Sequence, residues 1–224
     1  MAATAEDDKL SAAAEALGLD MSDSQRQALL AYPRQMQRWN KTYNLTAIRD
    51  AEQMLVQHIF DSLAAVKPLR EALARTRRGG AGSVVDVGSG GGLPGVVLAI
   101  MCPQWQVCCV DAVEKKMAFV RQMSGVLGLP NLRAVHARIE ALAPMEADIV
   151  VSRAFASLLD FATLAGAHVA PQGWLAAMKG REPREEIAAL HEQGRWRLRH
   201  VQPLRVPQLD AQRCLVWMSR QGNA

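Results

Sequence analysis

A chain of 224 residues, half of them hydrophobic, can bury a full core as one large domain or as one domain with an appendage. Its longest apolar run, the seven residues Val96–Cys102, is too short to span a bilayer. The acidic start M-A-A-T-A-E-D-D lacks the regions of a signal peptide, so a cytoplasmic protein with no membrane partner is expected.

The first third reads as helical. Glu6–Leu17 is a helix ended by Gly18. Ser22-x-x-Gln25 is a capping box that opens a longer helix through Trp39. Asp50-x-x-Gln53 opens another to about Val66, with Met54, Leu55, Ile59 and Leu63 on one apolar face. Arg77–Gly82 is a basic, glycine-rich junction, and the boundary is placed there, giving a helical N-terminal extension over 1–82 and a second domain over 83–224.

From residue 83 strands and helices alternate. Strands are predicted at Val84–Val87, Gln106–Val110, Leu132–His136, Asp148–Val151 and Trp174–Met178. Helices fall at Pro94–Met101, Glu114–Leu127, after Arg153 through about Val169, and at about Glu185–Leu190. Arg195–Val201 and Cys214–Met218 have no helix between them and read as an antiparallel pair. The fold class is therefore α/β, a mainly parallel Rossmann-like sheet with an antiparallel edge. Ligands of such sheets sit outside the carboxyl ends of the strands, where Gly88, Asp111, Arg138, Ile139, Glu140, Arg153 and Lys179 all fall.

The chain turns on Ser83–Gly95, S-V-V-D-V-G-S-G-G-G-L-P-G. A β-branched strand runs into a glycine loop and then a helix N-terminus, so backbone N–H groups and the helix dipole face a ligand. Asp111, 23 residues after Gly88 and at the tip of the next strand, is placed to accept hydrogen bonds from ribose hydroxyls. Gly90, Gly92 and Gly95 satisfy G-x-G-x-x-G, which leaves a nicotinamide dinucleotide open. The register acid-x-G-x-G-x-G from Asp86 to Gly92 favours S-adenosylmethionine, because an acid inside the strand attracts an ammonium group and repels a pyrophosphate. The other role open to Asp86 is a carboxylate that caps loop amides.

The net charge of +4 comes mainly from residues 154–224, which carry 9 basic and 6 acidic groups. Arg195, Arg197 and Arg199 alternate with Trp196 and Leu198 and would share one face of a strand, either contacting phosphates or blunting a solvated edge. Lys179, ending a strand at the ligand edge, is either a further contact of that kind or a solvated lysine. Arg34, Arg38 and Lys41 on the second helix are the alternative basic surface. His58 and Asp61, one turn apart, read as a structural hydrogen bond. The four cysteines have no metal-ligand spacing, and no metal is expected.

W-N-K-T-Y-N-L-T (Trp39–Thr46), H-I-F-D-S-L (His58–Leu63), D-V-G-S-G-G-G-L-P-G (Asp86–Gly95) and S-R-A-F-A-S-L (Ser152–Leu158) occur in this order. Together they resemble the bacterial small-subunit ribosomal RNA methyltransferase G family, also called glucose-inhibited division protein B, from about Ser22 to Met218. The resemblance implies a class I methyltransferase domain over 83–224 that transfers methyl from S-adenosylmethionine to N7 of one guanine in 16S rRNA. It places Gly88 and Leu93 in the cofactor loop, Ile139 and Glu140 beside the adenine, and Arg153 in the cofactor set. With Asp86, Gly90 and Asp111 these complete the expected cofactor site. The partner would be 16S rRNA or a small-subunit particle, bound by a monomer.

The chemistry asks for no catalytic base. Guanine N7 has an in-plane lone pair and no proton to lose, so in-line alignment is the main demand. The chain has no N-P-P-Y or D-P-P-Y motif for holding an exocyclic amine, and no P-C dipeptide for covalent attack. An oxidoreductase, or an RNA-binding module with a decayed pocket, are the alternatives; the only tyrosines, Tyr32 and Tyr43, supply no hydride-transfer set.

Overall fold

Capping chemistry opens the helices where the sequence places it. The computed structural model describes residues 5–74, 81–153, 155 and 157–222. Most of the basic junction, Arg77–Gly80, and Ala154 and Ala156 of the S-R-A-F-A-S-L motif lie outside the described residues. After α1 (Ala5–Leu17), Ser22 caps α2 (Asp23–Tyr43). Its Oγ accepts from the Gln25 amide at 3.2 Å, and Gln25 Oε1 accepts from the Ser22 amide at 2.9 Å. The helix passes Trp39 and stops at Asn44, whose φ of 46° is left-handed. Polar Asn40 hides this continuation in the sequence. It lies on the buried face with Leu29, Tyr32 and Met36 and binds the Thr46 amide and carbonyl at 3.1 and 3.0 Å.

Asp50 likewise caps α3 (Ala51–Met54), accepting from the Gln53 amide at 2.8 Å. The helix continues through a π-helical turn at Leu55–Phe60 into α4 (Asp61–Ala74), well beyond Val66. Pro68 forfeits a hydrogen bond there. Leu69 and Leu73, both buried, carry the apolar face onward and offset that loss.

The sheet comprises β1 (Gly82–Val87), β2 (Trp105–Asp111), β3 (Leu132–His136), β4 (Ala147–Ser152), β5 (Val169–Lys179), β6 (Trp196–Leu204) and β7 (Arg213–Arg220). Its order is β3-β2-β1-β4-β5-β7-β6. The first five strands are parallel, and β7 pairs antiparallel with both β5 and β6. The connecting helices are α5 (Gly95–Met101), α6 (Glu114–Val126), α7 (Leu158–Ala165) and α8 (Arg184–Glu192). Helix α7 is shorter than predicted. A 3-10 turn at Gly166–His168 ends its pattern, and Val169 already pairs with Ala147 in the sheet.

Alternation along the strands divides the core. Val84, Cys109, Ile149 and Val151 face a layer containing α1, α2, α4, α5 and α6. Val85, Cys108, Val110 and Val150 face α7 and α8. The helices of residues 5–74 thus bury their apolar faces in the same core as the sheet. Polar contacts set their position: the Tyr32 hydroxyl donates to the Gly91 carbonyl, and Gln25 Nε2 donates to the Ile100 carbonyl at 3.0 Å. Helix α2 therefore rests directly on the glycine loop. Among the described residues no helix is long and apolar enough to cross a membrane, and no group of three or more His, Cys, Asp and Glu is placed to hold a metal ion.

Candidate functional site

Between β1 and α5 the glycine loop is drawn tightly onto the sheet. The Gly88 amide donates to the Val110 carbonyl at 2.8 Å, and the Leu93 amide donates to the Ser89 carbonyl at 2.9 Å. A side chain at Gly95 would lie 2.9 Å from Asp86 Oδ2, so only glycine lets α5 start here. Gly90 has a φ of +60° and open space where a side chain would project. The loop thereby presents bare backbone to any ligand above it.

Asp86 is fully buried beneath the loop rather than exposed in the pocket. Its Oδ2 accepts from the Gly95 amide at 2.8 Å, the capping role that was open from sequence. Its Oδ1 has no hydrogen-bond partner among the described residues. Burial pushes the carboxyl up to about 7, partly countered by the Gly95 amide and the Arg153 charge.

Two adjoining cavities of about 240 Å³ each open at the carboxyl ends of the strands, and both have Gly88 in their walls. One is lined by Asp111, Ile139, Glu140 and Phe155. Asp111 tips β2, where its Oδ2 accepts from the Gly90 amide and its Oδ1 from the Val113 amide, each at 2.9 Å. Ile139 is buried and its carbonyl accepts from His168 Nε2 at 2.9 Å, while Glu140 is exposed beside Arg138. The second cavity has Gly90, Leu93, Lys116 and Arg153 on the sheet side. Its other wall comes from the helical layer, through Met36, Leu45, Thr46 and His58. The structure thus gathers Gly88, Gly90, Leu93, Asp111, Ile139, Glu140 and Arg153 around a cleft of two compartments that share Gly88, with Asp86 behind it.

Arg153, at the end of β4, is held from the helical layer. Its Nη1 donates to Asp61 Oδ2 at 3.0 Å and to the Gln57 carbonyl at 3.1 Å. The other oxygen of buried Asp61 accepts from Arg213 Nε at 2.8 Å, so one carboxylate spans α4, β4 and β7. His58 bonds not to Asp61 but to Thr46, with 2.8 Å between Nε2 and Oγ1. Burial, with the Arg153 charge beside it, pushes His58 down to about 4. The ring is therefore neutral at physiological pH. Thr46, Asp61, Lys116 and Arg213 were missed as site residues in the sequence.

Of the basic residues proposed for RNA, Arg195, Arg197 and Arg199 lie apart from this cleft, while Lys179 bonds a residue of its wall. Lys179 Nζ is 2.8 Å from Glu186 Oε2 and donates to the Phe155 carbonyl at 3.1 Å, so it fastens the loop after β4. Arg195 and Arg197 are at the start of β6, and Arg197 pairs with Ser219. That strand runs parallel to β5, with Leu204 and Lys179 at the same edge, so its start faces the opposite edge of the sheet from the cleft. Arg199 occupies a bulge between Leu198 and His200 and donates to Ser219 Oγ at 2.7 Å. A strand of the expected alternation is present, but its direction does not bring these arginines to the pocket.

A family model described as rRNA small subunit methyltransferase G matches residues 25–216. The chain belongs to the small-subunit ribosomal RNA methyltransferase G family. A protein of Bordetella petrii named ribosomal RNA small subunit methyltransferase G is 64% identical over 212 residues, covering 95% of this chain and 82% of the relative. One of that name from Methylibium petroleiphilum is 51% identical, covering 93% and 92%. In fold, the chain is similar to a putative S-adenosyl-L-methionine-dependent methyltransferase of Methanococcus maripaludis. The TM-score is 0.57 at 15% identity, over 86% of this chain and 93% of that one. A SAM-dependent methyltransferase from Aquifex aeolicus gives a TM-score of 0.54 at 20% identity, over 74% and 92%. The sheet is thus of the class I methyltransferase type. The family's donor fits the cleft: one compartment offers the Asp111 carboxylate beside apolar Ile139, and the other offers a bare glycine loop, a cationic guanidinium and an unpartnered carboxylate oxygen behind it.

Proposed function

We propose that the chain transfers a methyl group from S-adenosylmethionine to N7 of a single guanine in 16S rRNA, in the cytoplasm, as a monomer, on free RNA or a small-subunit particle. As a member of its family it is a methyltransferase of small-subunit ribosomal RNA. Use of that donor is supported by the divided cleft, with Gly88 common to both compartments.

In this reading Asp111 accepts the ribose hydroxyls, and Ile139 and Glu140 flank the adenine. Gly88, Gly90 and Leu93 let the donor lie against backbone. Arg153 and Asp86 set opposite charges about its amino-acid end. When bound, the donor supplies an electrophilic methyl on a sulfonium that needs no further activation. Residues 1–82 act as a helical extension that roofs the methionine compartment through Met36, Leu45, Thr46 and His58, excluding water from the methyl. Residues 83–224 form the methyltransferase domain. What remains for the protein is in-line positioning of N7. The nicotinamide alternative falls with family membership.

Transfer of labelled methyl to 16S rRNA lacking the modification, with the product base mapped, tests the proposal. N7-methylguanine at one position is the expected product. Label on another atom, or an inert wild-type chain given both free RNA and particles, overturns it.

A further inference from the structure

Beside the cleft the chain exposes a large aromatic ring. Tyr43, the last residue of α2, is 43% accessible. Its ring centroid lies 5.0 Å from that of Trp39, which meets Phe119 edge-on at 5.4 Å. Phe119 is fully buried on α6. The three rings thus form a column from the core to solvent. The Tyr43 hydroxyl has no hydrogen-bond partner among the described residues. The column stands against the methionine compartment, whose wall includes Leu45 and Thr46 just after Tyr43, Met36 two turns before it, and Lys116 one turn before Phe119.

The charge around this ring selects the partner. From Ser24 to Arg49 the chain has five basic side chains and no acidic one. Arg26 is neutralised by Asp7 and Asp23, and Arg34 by Glu6. Arg38 and Lys41 are exposed and in no ion pair among the described residues. An exposed aromatic ring at the end of a helix whose last two turns carry the uncompensated cations Arg38 and Lys41 fits a base of a single-stranded polyanion.

We propose that Tyr43 is a stacking platform for an unpaired base next to the target guanine, backed by Trp39, with Arg38 and Lys41 on the flanking phosphates. This rests on the reading that the acceptor is a guanine in 16S rRNA. Stacking on an aromatic ring is sequence-tolerant and tolerates loss of the hydroxyl, but not loss of the π-face.

Single-turnover methyl transfer at saturating donor, titrated with free 16S rRNA and with small-subunit particles, tests this. Tyr43→Ala should raise the RNA concentration for half-maximal rate about tenfold or more, with calorimetric donor affinity unchanged. Tyr43→Phe should restore it and Tyr43→Leu should not. Lys41→Ala should lower the salt slope of RNA binding by about 0.7, and Tyr43→Ala should leave that slope alone. Wild-type RNA affinity in Tyr43→Ala, or rescue by Leu as complete as by Phe, overturns the platform. A defect seen with particles only assigns Tyr43 to a protein contact and also overturns it. An inert wild type would instead count against the underlying function.

Discussion

Arg153 Nη1 lies 3.0 Å from Asp61 Oδ2, and this pair joins the helical layer to the sheet in the wall of the cleft. Asp61 is buried, and each arginine it binds is about a quarter exposed. Asp61→Ala would leave two guanidiniums competing for backbone carbonyls and water. Hydrogen bonds to charged groups contribute roughly 1.5–3 kcal/mol, so a loss of that order is expected in urea unfolding. Donor affinity should fall with it as Arg153 loses its orientation. A variant with the wild-type midpoint would show that the pair has no part in holding the layers together.

Asp111→Ala should weaken S-adenosylmethionine by about 1–3 kcal/mol, the usual result of leaving buried partners without a hydrogen bond. The same carboxylate organises the loop, since it accepts from both Gly90 and Val113. Asp111→Asn keeps one acceptor oxygen and should fall between the two. Titration calorimetry reads the difference, and equal affinity in all three proteins would remove Asp111 from the ribose role.

The local chemistry of this fold was legible, and its long-range joins were not. Ser22 with Gln25, and Asp50 with Gln53, announced helix starts because a cap is a contact between near neighbours. The glycine loop and Asp111 were readable because their geometry is fixed within one βαβ unit. Asp61 and Arg213 are 152 positions apart, and no periodicity links them. Asp86 was correctly singled out as an acid in the strand, but its depth was not readable, because Gly95 admits it under α5 only once the loop has closed. The alternation at Arg195–Arg199 marked a strand without saying which way it runs. That direction follows from β7 entering between β5 and β6.

His58 makes folding sensitive to acid. Its folded pKa is depressed to about 4 from an ordinary 6.5. Below 6.5 the unfolded chain binds a proton that the folded chain refuses until about 4, so this contribution is present above 6.5 and is lost as pH falls through that window. Its ceiling is about 3 kcal/mol. His58→Gln, which can still bond Thr46, should lose less stability than wild type between about pH 7.5 and pH 5 in urea melts. Parallel losses in the two proteins would mean that His58 is not the group responsible.

Asp86 separates donor binding from methyl transfer in their response to pH. Burial raises its carboxyl to about 7, with the Gly95 amide and the Arg153 charge offsetting part of the rise, and its Oδ1 has no hydrogen-bond partner among the described residues. A cationic donor favours the ionised form, so donor affinity should rise with pH through about 7 and level off above it, being about tenfold weaker one unit below. Asp86→Asn should flatten this dependence and weaken binding at the alkaline end. The transfer step is different. N7 gives up no proton, so no side chain has to accept one. With donor and RNA saturating, the single-turnover rate should stay nearly flat between roughly pH 6.5 and 8.5, a range in which a working histidine base would show a clear limb. His58, the histidine in the cleft wall, is bonded to Thr46 and held neutral throughout that range. A tenfold fall in the saturated rate toward acid, abolished by His58→Ala with donor binding intact, would show that a general base is at work and that the acceptor is not N7.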